Sequence, residues 1–162
     1  TCTIALSSGW NLISFPIIPT NSAIATILSG ISGVGTSTLV QYYDAGSWKY
    51  YIPDAESGPL SDMSDGKGYW INMTHSATLT VSGTSAPSAP NPPSTYSVIS
   101  GWNLIGYKSL TPYKNASSYL STIPSGFMVF DQNNTDKTSS YLQHGKGYWL
   151  WSTGAGSFIA GD

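Results

Sequence analysis

The chain has 162 residues, of which 9% are charged, with six Lys, no Arg and a net charge of −2, against about 25% charged residues in a typical globular protein. Six dispersed cations cannot make the basic footprint of a nucleic-acid binder, and no apolar run nears the roughly 18 residues of a membrane span. What remains is a polar chain rich in Ser and Thr (27 and 16) and in aromatics, with six Trp and eleven Tyr.

In chain order, the opening Thr1-Cys2-Thr3 lacks Met and is expected to result from processing of an exported precursor. Cys2 is the one cysteine, so no disulfide forms within the chain. It is expected to be buried as a small hydrophobe, ahead of pairing with another chain. Thr3-Ile4-Ala5-Leu6 reads as a strand, and Ser8-Gly9-Trp10-Asn11-Leu12-Ile13 opens the next. Ile24, Ile27, Leu28 and Ile31 have the spacing of one helix face, behind Asn21 and Ser22 as capping residues. Val40-Gln41-Tyr42-Tyr43-Asp44 reads as a strand, and the region 48–59 as a variable loop or hairpin. Asp62-Met63-Ser64-Asp65-Gly66 is read as a polar turn, since it lacks the alternate ligands and late Glu of a calcium loop. In Gly66-Lys67-Gly68-Tyr69-Trp70 the second Gly permits a bulge or a close backbone approach. Thr78-Leu79-Thr80-Val81 alternates as a half-buried strand should.

The same order then returns. Ser100-Gly101-Trp102-Asn103-Leu104-Ile105 repeats the first word at an offset of 92, and Gly145-Lys146-Gly147-Tyr148-Trp149 repeats the second at 79. Ala116, Tyr119, Leu120 and Ile123 repeat the helix spacing, with Asn115 as cap. Phe127-Met128-Val129-Phe130-Asp131 matches 40–44 at an offset of 87, and its apolar run suits a strand buried on both faces. The second copy has therefore lost residues before and after that strand. The chain divides into a β-rich module over 1–83, a Pro/Ser-rich spacer over 84–95 with Pro87, Pro90, Pro92 and Pro93, and a second β-rich module over 96–162. The spacer composition favours polyproline II, a stiff connector reaching roughly 37 Å. The fold class is mainly β: two small β-sandwich or barrel-like modules, each with one short helix.

The pairing of Gly-Trp-Asn-Leu-Ile with Gly-x-Gly-Tyr-Trp resembles repeat modules of large archaeal and bacterial cell-surface proteins, S-layer-like and adhesin-like. The resemblance implies an extracellular location and a scaffolding or adhesive role. It implies no catalytic residues.

The residues themselves offer no catalytic constellation and no cofactor or metal site. His75 and His144 stand alone and read as exposed polar residues, and there is no nucleophile elbow or P-loop. Asp44 and Asp131 recur and read as structural, capping a strand end or turn. Trp10, Trp70, Trp102 and Trp149 recur and are read as core. Trp48, Tyr50 and Tyr51 have no counterpart in the second copy and are candidates for an interface or ligand. Asn133, then Asn115, then Asn72 fit the glycosylation acceptor pattern. Two functions follow. The first is a non-enzymatic subunit of an extracellular filament, sheath or surface layer that self-associates, with Thr3, Ile4, Ala5 and Leu6 as candidates for strand addition to a neighbour. The second is a module binding carbohydrate or another surface protein.

Overall fold

The computed structural model describes residues 1–33, 35–86 and 91–159. Strand makes up 49% and helix 8%, so the protein is mainly β and sandwich-like. The N-terminal half runs β1 (Cys2–Leu6), β2 (Gly9–Ile13), β3 (Ile18–Pro19), α1 (Ile24–Leu28), β4 (Ile31–Gly33), β5 (Ser37–Asp44), β6 (Ser47–Tyr51), β7 (Tyr69–Met73), β8 (Ala77–Val81) and β9 (Gly83–Thr84). The C-terminal half runs β10 (Thr95–Val98), β11 (Gly101–Gly106), β12 (Tyr113–Asn115), α2 (Ala116–Tyr119), β13 (Met128–Phe130), β14 (Tyr141–Gln143), β15 (Gly147–Ser152) and β16 (Gly156–Ile159). The sheet orders are β1-β8-β4 and β2-β7-β5-β6 in the first half, β10-β16 and β11-β15-β13 in the second. The short pairs β3-β9 and β12-β14 complete them.

Each half has its own core. Ile4, Leu6, Leu79 and Val81 of one sheet meet Ile13, Val40, Tyr69, Ile71 and Met73 of the other, and α1 covers them with Ile24 and Ile27. In the second half Val98 and Phe158 meet Ile105, Val129, Tyr148 and Leu150, with Ala116 and Tyr119 from α2. Burying each such side chain contributes about 1.5–3 kcal/mol. The run 127–130 does not have both faces buried. Val129 is buried, but Met128 is exposed, because the two point to opposite faces of the strand and only one face is covered there. The caps differ between the halves. Asn115 caps α2 and accepts from Ser117 N at 3.1 Å, whereas α1 begins at Ala23 with no side-chain cap.

The two repeated words fold alike. Trp10 faces Asn72 across β2-β7, and Trp102 faces Trp151 across β11-β15, at the same two offsets. In the first word, Gly9 and Gly101 take φ of +88° and +96°, a region open to glycine at no steric cost. The Asn11 side chain accepts from Ser7 N and donates to Ser7 O, stapling the turn before β2. Asn103 does the same with Ile99 before β11.

The second word explains how the halves join. Thr84 and Thr95, at the ends of the spacer, are already strand residues, while Pro87 and Pro90 lie outside the described residues. The halves are in direct contact. Ser14 N donates to Gly145 O at 3.1 Å, and Gly106 N donates to Gly66 O at 3.0 Å. Ile13 bridges to Lys146 as Ile105 bridges to Lys67. These contacts are reciprocal, as across an approximate twofold axis. Gly68 and Gly147 meet there: a Cβ on Gly147 would lie 2.8 Å from Ile13 O and 3.1 Å from Gly68 Cα, and one on Gly68 would lie 2.7 Å from Ile105 O. Close backbone approach, not a bulge, is what excludes a side chain. Leu12 and Leu104 are buried but belong to neither core, and Leu12 lies against Gly147. A further bond missed by the sequence links Tyr96 OH to Asp65 across the seam.

Candidate functional site

Period-two alternation decides where the aromatics go. In β7, Tyr69 and Ile71 point into the core, so Trp70 points out. In β2, Asn11 and Ile13 point in, so Trp10 points out. The recurring tryptophans are therefore not core residues: Trp10 and Trp102 are 42% and 41% exposed, and Trp70 and Trp149 are half-buried. The hydroxyls of the inward tyrosines each accept a main-chain N–H at 2.8 Å, Tyr69 from Ser64 and Tyr148 from Gln143. Burial pushes both phenols up, Tyr148 to about 12.

The region after β5 is a hairpin, closed by Ala45 and Gly46 at positive φ. Its strand β6 splits the three candidate aromatics. Trp48 and Tyr50 point out and are 48% and 43% exposed, while Tyr51 is buried in the first core and is no ligand candidate. The outward face of β2-β7-β5-β6 thus carries Trp10, Trp70, Gln41, Tyr43, Trp48 and Tyr50, matched across strands as Gln41 with Trp70 and Tyr43 with Trp48.

Onto this face comes Trp149 from β15. Its ring centroid lies 5.8 Å from Trp48, 5.4 Å from Tyr43 and 5.9 Å from Trp102. Trp10 is braced edge-to-face on Trp70 at 6.3 Å, and Trp102 on Trp149 in the same manner. Such pairs add about 0.5–1.5 kcal/mol beyond their burial and hold the outer ring still. The loop after β13 closes one side. Gln132 Oε1 accepts from Leu12 N at 2.9 Å, and its Nε2 donates to Trp10 O at 3.2 Å. The result is a groove of about 590 Å³ lined by Trp10, Gln41, Trp48, Trp70, Gln132, Asn133 and Trp149. Its walls are indole rings and amides, with no charged side chain.

The other candidates sit as follows. Asn133 is exposed on the groove rim. Asn115 has its side-chain oxygen committed to capping α2, and Asn72 is half-buried beside Trp10. Thr3, Ile4, Ala5 and Leu6 are paired with Thr80, Leu79, Thr78 and Ala77 of β8, and Ile4 and Leu6 are buried. The segment is already part of its own sheet. Cys2 is half-buried against the first core, and burial raises its thiol pKa. Asp62 accepts from the Ser22 and Ser61 hydroxyls, as a polar turn would. Asp131 accepts from Asn133 N and Thr135 N in the loop after β13, and Asp44 pairs with Lys49 at 2.7 Å. Among the described residues no cluster of His, Cys, Asp or Glu could hold a metal ion.

The sequence reading missed Trp149, Trp10, Trp70, Gln41 and Gln132 as groove residues. The signal for the first lay in the Tyr-Trp word, because neighbouring strand residues cannot both face one core. Gln132 gave no signal, since its role depends on the other half. Compared with known proteins, the chain matches no protein-family model, no curated protein and no solved structure.

Proposed function

We propose that this chain is a non-enzymatic binding module of an extracellular or cell-surface protein, and that its ligand is a carbohydrate held in the tryptophan groove. The observation that carries this reading is the convergence of Trp10, Trp48, Trp70 and Trp149 on one open groove with the amides of Gln41, Gln132 and Asn133. Indole faces stack on the C–H faces of sugar rings, and amides both donate to and accept from hydroxyls. Trp10 and Trp48 are exposed, Trp70 and Trp149 half-buried, and none belongs to either core; an exposed apolar groove of this kind supports a binding role. The test is titration of the protein with a broad neutral glycan panel, read by tryptophan fluorescence. Binding that is lost in Trp48→Ala and Trp10→Ala supports the reading. No response from any glycan removes it.

The self-assembling subunit is the second reading. Strand addition by residues 3–6 loses force because those residues are paired within their own sheet. The reading keeps one specific support: Tyr113 and Tyr141, 60% and 56% exposed, pack on each other at 5.7 Å and form an aromatic patch beside β12 and β14. Negative-stain electron microscopy decides it. Regular fibres or sheets that disappear in Tyr113→Ser/Tyr141→Ser would favour assembly, and dispersed particles would leave the binding module.

A further inference from the structure

The groove does not end at the boundary between the halves. Trp149 lines it and also lines an adjoining hollow of about 320 Å³, whose other walls are Tyr43, Trp102, Phe130 and Asn134. Tyr43 comes from the first half, and Trp102, Phe130, Asn134 and Trp149 from the second, so neither half builds the hollow alone. The rings form a continuous path. Trp48 to Trp149 is 5.8 Å, Trp149 to Trp102 is 5.9 Å, and Trp102 to Phe130 is 5.9 Å. These are contacts between touching rings, so the exposed Trp48 and Trp102 lie two contacts apart, on either side of Trp149. Trp48 and Trp102 are the exposed tryptophans on this path, on either side of half-buried Trp149, and exposed Trp10, braced on Trp70, lines the same groove.

Charge is also informative. Neither cavity has a Lys, Asp or Glu in its lining. The neighbouring hollow of about 690 Å³, on the far side of Gln132 and Asn133, holds Asp131, Lys137 and Lys146.

We infer that the site takes an extended, neutral polysaccharide lying across both halves, with Trp10 and Trp48 as one platform region and Trp102 as another. The inference rests on the carbohydrate reading above and adds the length, charge and span of the ligand. A chain that bridges the halves gains a contact for each ring it places, while the seam holds the two platform regions at fixed spacing, so that ordering is not repeated at each step. Short fragments engage one platform region only.

The experiment compares cello-, manno- and chito-oligosaccharides of two to six rings, with an oligogalacturonate as the charged control, by calorimetry on the full chain at low and high salt. At least one neutral series is expected to bind about tenfold tighter at six rings than at two. Salt should not change that affinity, because no ion pair is made. Trp102→Ala should abolish the gain with length; circular dichroism checks that the variant is folded. Equal affinity for two and six rings, a length gain that survives Trp102→Ala, or preference for the oligogalacturonate would each overturn the inference while leaving a carbohydrate module. Failure of every series at every length would overturn the carbohydrate reading itself.

Discussion

In the N-terminal half the outward sheet β2-β7-β5-β6 has four strands, and in the C-terminal half its counterpart β11-β15-β13 stops at three. The shared strands do shared work. They supply the cores, the asparagine staples, the braced Trp pairs and the glycine seam, all at repeated positions. The groove joins Trp10, Trp70 and Trp149, at recurring positions, to Trp48, Gln132 and Asn133 of the unshared segments. In the first half the chain turns tightly after Asp44 and returns as β6, which supplies Trp48 and Tyr50. In the second half it forms the loop after Asp131, and sends Gln132 across to hold β2. Two halves of similar order thus build an asymmetric groove: one contributes an extra strand, the other a clasp. What is repeated keeps the molecule together and supplies three of the groove's tryptophans, and what differs completes its walls.

Substitutions at matched positions sharpen that contrast. The largest effect is expected at the seam, where Gly147→Ala should cost about 3 kcal/mol and Gly68→Ala a comparable amount, measured by urea unfolding. Two very unequal costs would show that the contact is not reciprocal. Gln132→Ala comes next. It leaves the Leu12 N–H in a partly enclosed position without its acceptor, for about 2 kcal/mol; the first half already has alanine, Ala45, at the matching position. Tyr69→Phe and Tyr148→Phe each remove one acceptor of a main-chain N–H and should cost about 1 kcal/mol apiece, with thermal unfolding as the readout. The smallest effects lie at the helix starts. Asn115→Ala should lose about 1 kcal/mol, while Ala23→Asn should gain up to about 1 kcal/mol by giving α1 the cap that α2 already has.

Much of the fold was legible because it depends on local rules. The strand alternation of 78–81, the helix spacing of 116, 119 and 120, and the Asn115 cap are set by neighbours a few residues away. The requirement for Gly68 was legible too, though not what approaches it. The recurring Trp residues were misplaced for a physical reason. Repetition marks a position as structurally necessary but does not say which side of the strand it occupies; the parity set by Tyr69 and Ile71 does. Leu12 beside Ile13 held the other clue. Two adjacent buried apolar residues in one strand mean that both faces are covered, and the second cover can only come from elsewhere. The seam, the Gln132 clasp and the composite groove all depend on how the halves meet, which no local pattern encodes.

The reciprocal seam also bears on how the chain folds. Leu12 stays dry only when Gly147 is in place, and the main-chain groups of Ser14 and Gly106 find their acceptors only in the opposite half. Each half on its own is an unfinished surface, so the two stabilise one another and the chain should melt in one cooperative transition. The same geometry gives an isolated half an obvious substitute. Because the contact matches like with like, two copies of the N-terminal half could close the seam against each other and form the twofold dimer that the covalent chain holds within itself.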